Sequence, residues 1–331
     1  MSKKVNGITK IMAVAVAVMM VFSAAAAMAE MKLKAGHVLA PDHPYQTGLE
    51  KFAEIVKART NGEVSIEVFH SSQLGNERDM IEGLQMGTLD ISLVSTAPLM
   101  GFVKSFMVFD LPFIFPDNPT AHRVVDGPLG QAPLNDLDKI GLVGLVYFEN
   151  GFRQLTNSKR AVTKPSDARG LKIRTMENKI HMASFQAIGV SAIPMAFGEL
   201  FTAMQQGTVD GQENPIANIY NNKYNEVQKY LTMSNHFYAA APVIVSKIVW
   251  DRLTPEQQTI FREAAKEAQT FQRTELNRQD TEFRAELVKL GMEVTEINRD
   301  EWFEAMSPVY KEFEAEIGAD LIKAVQDAAK N

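Results

Sequence analysis

Two arginines and an asparagine between residues 151 and 215 are the side chains best placed to hold another molecule. The stretch reads Gly151-Phe152-Arg153, then Gly170-Leu171-Lys172-Ile173-Arg174, then Gly211-Gln212-Glu213-Asn214-Pro215. Arg174 ends a short predicted strand in which Ile173 faces inward, so its guanidinium could lie in a cleft between domains. A guanidinium is planar and offers two parallel charge-assisted hydrogen bonds to a carboxylate. Arg153 would supply a second positive group, and Asn214 an amide whose donor and acceptor fix orientation. The chemistry implied is recognition of an organic anion. On spacing alone, a surface ion pair accounts for each arginine more readily than a ligand clamp does.

Signs of catalysis are missing. The chain holds no G-x-S-x-G elbow, no phosphate-binding loop and no dinucleotide fingerprint. Its six histidines are scattered, and neither His37 nor His43, which share a loop, has the spacing of a helical metal pair. Cysteine is absent, which removes thiol nucleophiles, thiolate metal sites and disulfides. No enzyme activity, metal or cofactor is expected. A secreted hydrolase or lyase is the less favoured alternative.

The elements that must position these residues alternate. Lys32–His37 and Val64–Phe69 read as strands, Tyr45–Arg59 and Arg78–Met86 as helices, and Leu89–Val94 as a third strand. This order argues for α/β domains with largely parallel sheets. Gln85-Met86-Gly87-Thr88-Leu89-Asp90 returns 120 residues later as Gln205-Gln206-Gly207-Thr208-Val209-Asp210. In both, a helix ends at glycine and a strand follows, which suggests two similar lobes. Thr254-Pro255-Glu256-Gln257 is a strong helix start, and neither proline nor glycine recurs until Gly291. A helix of about 35 residues would run roughly 50 Å at 1.5 Å per residue, more than one small domain needs. Its apolar residues cluster at both ends, with a polar stretch over Gln272–Thr281. One helix packing on both lobes across an exposed gap is expected, the alternative being a break near Asn277. Strand and helices then follow over Met292–Ile297 and Trp302–Ala329, with interruptions near Pro308 and Gly318.

Taken in order, several short segments resemble the solute-binding proteins of tripartite ATP-independent periplasmic (TRAP) transporters, the DctP family. They are Gly36-His37, Ser71-Ser72-Gln73-Leu74-Gly75, Asp110-Leu111-Pro112-Phe113, Gly151-Phe152-Arg153, Gly170–Arg174, Pro194-Met195-Ala196-Phe197 and Asp210–Pro215. The resemblance spans nearly all of the chain after residue 29. It implies an α/β, two-lobe, periplasmic-binding-protein-like (class II-like) fold with a long helix spanning both lobes. Residues 30–150 and 240–279 would form lobe I, and 151–239 with 280–331 lobe II and the C-terminal helices. By resemblance, Arg174 clamps the ligand carboxylate, Arg153 contacts the same carboxylate or a neighbouring hydroxyl, and Asn214 is an amide ligand. Phe197 resembles an aromatic wall, with core packing an equal reading. His37, Glu77, Ser95 and His236 fall near positions that tune specificity. The expected ligand is a small organic acid. The Gly-Asn-Glu-Arg context of Glu77 resembles members that take sugar acids such as hexuronates. Four-carbon dicarboxylates, keto acids and amino-acid-like ligands are alternatives. The expected partners are the TRAP membrane permease subunits, with a sensor kinase as the rival and the protein itself a monomer.

Charge and address agree with that expectation. Lys3, Lys4 and Lys10 precede or open the apolar run Ile11–Ala27, and Ala27-Met28-Ala29 supplies small residues at a cleavage site. This is the pattern of a secretory signal peptide over residues 1–29, its run of about 17 residues being at the short limit for a span. Periplasmic export is therefore expected. Removal of its three lysines would leave 31 basic and 40 acidic residues, a formal charge of −9. Such acidity argues against nucleic acid as a partner. It also requires that an anionic ligand be held by a local positive site rather than by the general field.

Overall fold

The computed structural model describes residues 30–330, so the expected signal peptide lies outside the described residues. Two mixed sheets organise the chain. The first is built from β1 (Met31–Gly36), β2 (Val64–Phe69), β3 (Ile91–Leu93), β4 (Leu142–Phe152) and β10 (Tyr238–Ser246), in the order β2-β1-β3-β10-β4. The second holds β5 (Gln154–Asn157), β6 (Lys172–Thr175), β7 (Ser191–Pro194), β8 (Gly211–Asn214), β9 (Tyr230–Met233) and β11 (Glu293–Glu296), in the order β11-β9-β5-β8-β6-β7. The expectation of largely parallel sheets holds for β1, β2 and β3 and for β6, β7 and β8. It fails at the strands that enter each sheet from the other lobe. β10 runs antiparallel to β3 and β4, and β5 antiparallel to β8 and β9. Strands that cross between lobes reverse direction locally, and Arg153 sits at the first such crossing, between β4 and β5.

The repeated helix–glycine–strand unit has one physical cause in both places. Gly87 and Gly207 lie at φ 71° and 70°, the left-handed region that glycine enters without steric cost. Each follows a helix, Glu77–Met86 in one lobe and Leu200–Gln205 in the other.

The long helix is continuous over Pro255–Lys289, and Thr254 and Gln257 form its capping box. Its first turns bury Phe261, Ala264, Ala265 and Ala268 in the core of the first lobe. Near its far end Phe283 stacks on Tyr220, 4.0 Å between centroids, and Leu287 joins a core of the second lobe. The polar middle is not the exposed gap expected from composition. Gln272 is fully buried and bonds the backbone of β4 twice, accepting from Glu149 N at 2.9 Å and donating to Glu149 O at 2.7 Å. Its glutamines thus satisfy strand edges that would otherwise be orphaned. Gly48 lets this happen, since a Cβ there would lie 2.9 Å from the Gln272 side chain.

Three helices follow, Arg299–Met306, Pro308–Ile317 and Ala319–Ala328, broken near Pro308 and at Gly318. The first packs Trp302 and Met306 into the second lobe. The other two depart from the expectation that 280–331 belong there. Val309, Phe313, Ile322 and Val325 join the core of the first lobe, because the apolar stripes of these helices cover the helical turns over Lys104–Asp110.

Candidate functional site

The carboxyl ends of β1, β3, β6 and β8 converge where the lobes meet. There the second lobe brings Arg174, Arg153 and Asn214 together, and the first lobe brings Glu77, Ser95 and His37.

Arg174 is 2% exposed. Its Nε and Nη2 both donate to the Met195 carbonyl, at 2.9 and 2.7 Å, which fixes the plane of the fork. Nη1 is buried and has no partner within the protein. Burial lowers the guanidinium pKa, and Arg153 nearby adds to the effect. A buried cation without a counter-ion costs several kcal/mol, so this side chain is arranged to receive an anion. The pocket it lines is bounded on one side by Glu77, Asn76 and Pro98 of the first lobe. On the other side stand Met176, Glu177, Met195, Ala196 and Phe197 of the second. Phe197 is half-buried and also packs against the core, so wall and core packing are both present.

Arg153 is fully buried but, unlike Arg174, its charge is matched within the protein. Its Nε bonds Glu213 Oε2, and Nη2 bonds Glu213 Oε1 at 2.8 Å and Asn214 Oδ1 at 3.2 Å. Burial pushes Glu213 up, but Arg153 and His236 outweigh it and hold the carboxyl well below the usual carboxylate range. Sequence reasoning gave Glu213 no role. It offered no signal beyond a carboxylate inside the Asp210–Pro215 segment, because the pairing spans 60 positions and exists only once β5 and β8 align. Arg153 Nη1 is the one donor of this group left buried without a partner. Asn214, at the end of β8, also donates to Gln212 Oε1 and accepts from Asn218 Nδ2, so the protein itself fixes its amide.

The structure places His236 behind Arg153 and away from the pocket walls. Its Nε2 faces Glu213 Oε2 at 3.2 Å and its Nδ1 faces Ser234 Oγ at 2.7 Å. Burial lowers its pKa, with Glu213 acting the other way. His37 is also fully committed. Its Nδ1 accepts from Leu39 N at 3.2 Å, so Nε2 carries the proton donated to Gln46 Oε1 at 2.8 Å. Burial lowers its pKa to about 4, and it is neutral at pH 7.

Glu77 opens its helix just after the Asn76 cap, and its Oε1 accepts from Ser95 N at 2.6 Å. Burial raises its pKa, while the Ser95 N–H and the two arginines pull it back. Ser95 therefore serves through its backbone, and its hydroxyl meets Met176 Sδ across the lobe boundary at 3.7 Å. Asn178, unforeseen from the sequence, bridges the same boundary. Its Nδ2 donates to Ala97 O at 3.2 Å and to Asp110 Oδ2 at 2.9 Å. With these contacts made and Arg174 out of solvent, the lobes are closed over the pocket.

A wider groove of about 1150 Å³ lies on the hinge side, lined by His122, Asp126, Glu149, Arg273 and Arg284 among others. Its arginines are already paired, Arg273 with Asp126 and Arg284 with Glu296. It presents no uncompensated cation of the kind found at Arg174.

Residues 35–316 match the model of a family described as bacterial extracellular solute-binding protein, family 7, DctP. A TRAP periplasmic solute-binding protein from Polaromonas sp. JS666, solved with D-erythronate, is 44% identical with a TM-score of 0.88, covering 90% of this chain and 98% of that one. A sugar acid binding protein from Advenella mimigardefordensis, solved with galactonate, is 38% identical with a TM-score of 0.89, covering 91% and 98%. A C4-dicarboxylate-binding periplasmic protein of Rhodobacter capsulatus is 37% identical, covering 89% of this chain and 90% of its own.

Proposed function

The chain belongs to the DctP family of bacterial extracellular solute-binding proteins, and from that membership we propose that it captures a sugar acid such as a hexuronate and delivers it to a TRAP membrane permease. It would do so in the periplasm, as a monomer and without chemistry on the ligand.

One observation carries the choice of ligand class. One guanidinium of the cleft, that of Arg174, is hydrogen-bonded only to a backbone carbonyl, and its Nη1 is buried without a partner in the protein. Arg153 is matched by Glu213. One ligand carboxylate can take the hydrogen bond that this Arg174 nitrogen leaves open. Across the pocket stands Glu77, an acceptor for hydroxyl donors and a poor neighbour for a second carboxylate. A polyhydroxylated monocarboxylate satisfies both ends, whereas a four-carbon dicarboxylate would bury one charge against Glu77. Galactonate and D-erythronate, bound by the two solved relatives, are themselves polyhydroxylated monocarboxylates.

Binding then drives closure. The carboxylate docks on the second lobe, and the first lobe gains Asn178 and Ser95 contacts only as the gap shuts. The ligand shifts the open–closed equilibrium by its differential affinity for the two forms. The long helix, packed on both lobes, bends to permit it.

A thermal-shift screen of the mature protein against hexuronates, hexonates, succinate and keto acids tests the reading. A ligand at 100 times its Kd stabilises the native state by about 2.7 kcal/mol, so sugar acids should raise Tm most. Tighter binding of succinate would overturn the ligand class. Conversion of a bound acid into product would overturn the assignment as a carrier.

A further inference from the structure

Tyr45 is the second residue of the helix Pro44–Arg59, which begins beside the long helix that joins the lobes, Gln279 donating to Asp42 O at 3.1 Å, and it is 1% exposed. Its ring cannot swing. His43 meets it edge-on at 4.9 Å and His37 at 6.0 Å, and the His43 side chain accepts from Tyr45 N at 3.1 Å to cap the helix. The phenolic oxygen is nevertheless buried without a hydrogen-bond partner in the protein. Buried tyrosines ordinarily place that hydroxyl on a partner, and leaving it unmade costs about 1–3 kcal/mol. A locked ring with an unmade bond is the arrangement expected of a group whose partner arrives from outside.

The surroundings narrow what arrives. Besides burial, the charges that act on this phenol are Glu77 and Arg153 of the cleft and Glu149 at the hinge. Burial and the two carboxylates push its pKa well above the ordinary value, so it stays a neutral hydroxyl, able to donate and to accept. A neutral, two-way group between a carboxylate and an already matched arginine suits an alcohol better than a second anion.

We infer that Tyr45 is a specificity-determining residue of the first lobe, whose hydroxyl bonds a hydroxyl group of the bound sugar acid beyond its carboxylate. This rests on the sugar-acid reading of the cleft, and the experiment separates the two. Tyr45→Phe keeps the ring and removes only the oxygen. Calorimetry with galacturonate and galactonate is run on the wild type, Tyr45→Phe and Arg174→Ala, with the Tm of each ligand-free protein. The expected result is a loss of about tenfold in sugar-acid affinity for Tyr45→Phe with a ligand-free Tm equal to or above wild type, since an unsatisfied oxygen has been removed. Unchanged affinity in Tyr45→Phe beside lost binding in Arg174→Ala would overturn the role of Tyr45 and leave the cleft reading intact. A lowered ligand-free Tm would also overturn it, by showing that the oxygen bonds within the protein. No sugar acid bound by the wild type would overturn the cleft reading and the inference together.

Discussion

The two lobes meet the ligand pocket with different chemistry. The second lobe offers cations and an amide, Arg174, Arg153 and Asn214, held rigidly by a backbone carbonyl, a buried carboxylate and a neighbouring amide. The first lobe offers one carboxylate, Glu77, with the unpartnered phenol of Tyr45 near it, while both ring nitrogens of His37 are taken up within the lobe. On the proposed function, long-range attraction would come from one side and short-range discrimination from the other. A charge draws in any acid, while neutral groups at hydrogen-bond range distinguish one acid from the next. The net acidity of the chain does not reach this point, where a buried guanidinium nitrogen of Arg174 has no partner in the protein.

The sharpest way to break this division is at Arg174. Arg174→Ala should weaken every acid alike, by about a thousandfold, with little change in Tm, because the side chain completes the ligand rather than the core. Arg174→Lys should also weaken binding, since a point charge cannot reproduce the fork. Calorimetry on both variants decides, and unchanged affinity would remove the second lobe from the role given to it. Glu213→Gln is next. It strips the match from a fully buried guanidinium and should cost about 3 kcal/mol of stability, read from urea unfolding. A neutral effect would mean that Arg153 finds solvent and that its charge is free for a ligand.

Acid should act on the first lobe more than the second. His37 has a folded pKa of about 4 against 6.5 unfolded, so between those values the unfolded chain binds more protons. Its contribution is whole above pH 6.5 and is lost as pH falls toward 4, on the order of 3 kcal/mol. His43, beside it and lowered further by burial, adds in the same direction. Burial lowers His236 too, but its bond to Glu213 opposes the shift, and Glu77, raised by burial, works with the opposite sign. Asp280, raised to about 7 by burial, also works with the opposite sign over this range, so the His37 contribution is read as the difference in unfolding free energy between wild type and His37→Gln from pH 7 to pH 4.

Much of this was legible in the sequence where the cause is local. The glycines that end helices, the Thr254 capping box and the length of the helix that follows depend on neighbours within a few positions, and all stand as read. The arginine near the end of β6 was legible for the same reason, since strand direction places position 174 toward the carboxyl end of the strand. What escaped depends on distant partners. Glu213 neutralises an arginine 60 positions away, and the Met195 carbonyl orients Arg174 from just beyond the end of β7. The last two helices return to the first lobe because the turns over Lys104–Asp110 need cover, a demand invisible in the helices' own periodicity. The polar middle of the long helix read as solvent-facing because glutamine rarely goes inside, yet Gln272 is inside to satisfy the edge of β4.

The smallest effect is the one that tests the comparison most finely. Glu77 holds its place through Ser95 N, and Glu77→Gln keeps that bond with its amide oxygen while removing the charge. If the second lobe attracts and the first discriminates, the variant should change preference more than affinity. Sugar acids should lose about tenfold, because an amide accepts a hydroxyl more weakly than a carboxylate does. Succinate should gain, because the repulsion facing its second carboxylate has gone. The ratio of the two dissociation constants measures this, and it is insensitive to any general loss of fold. Parallel weakening of both acids would show that Glu77 only supports the closed form, and discrimination would then have to come from Tyr45 or from the shape of the pocket.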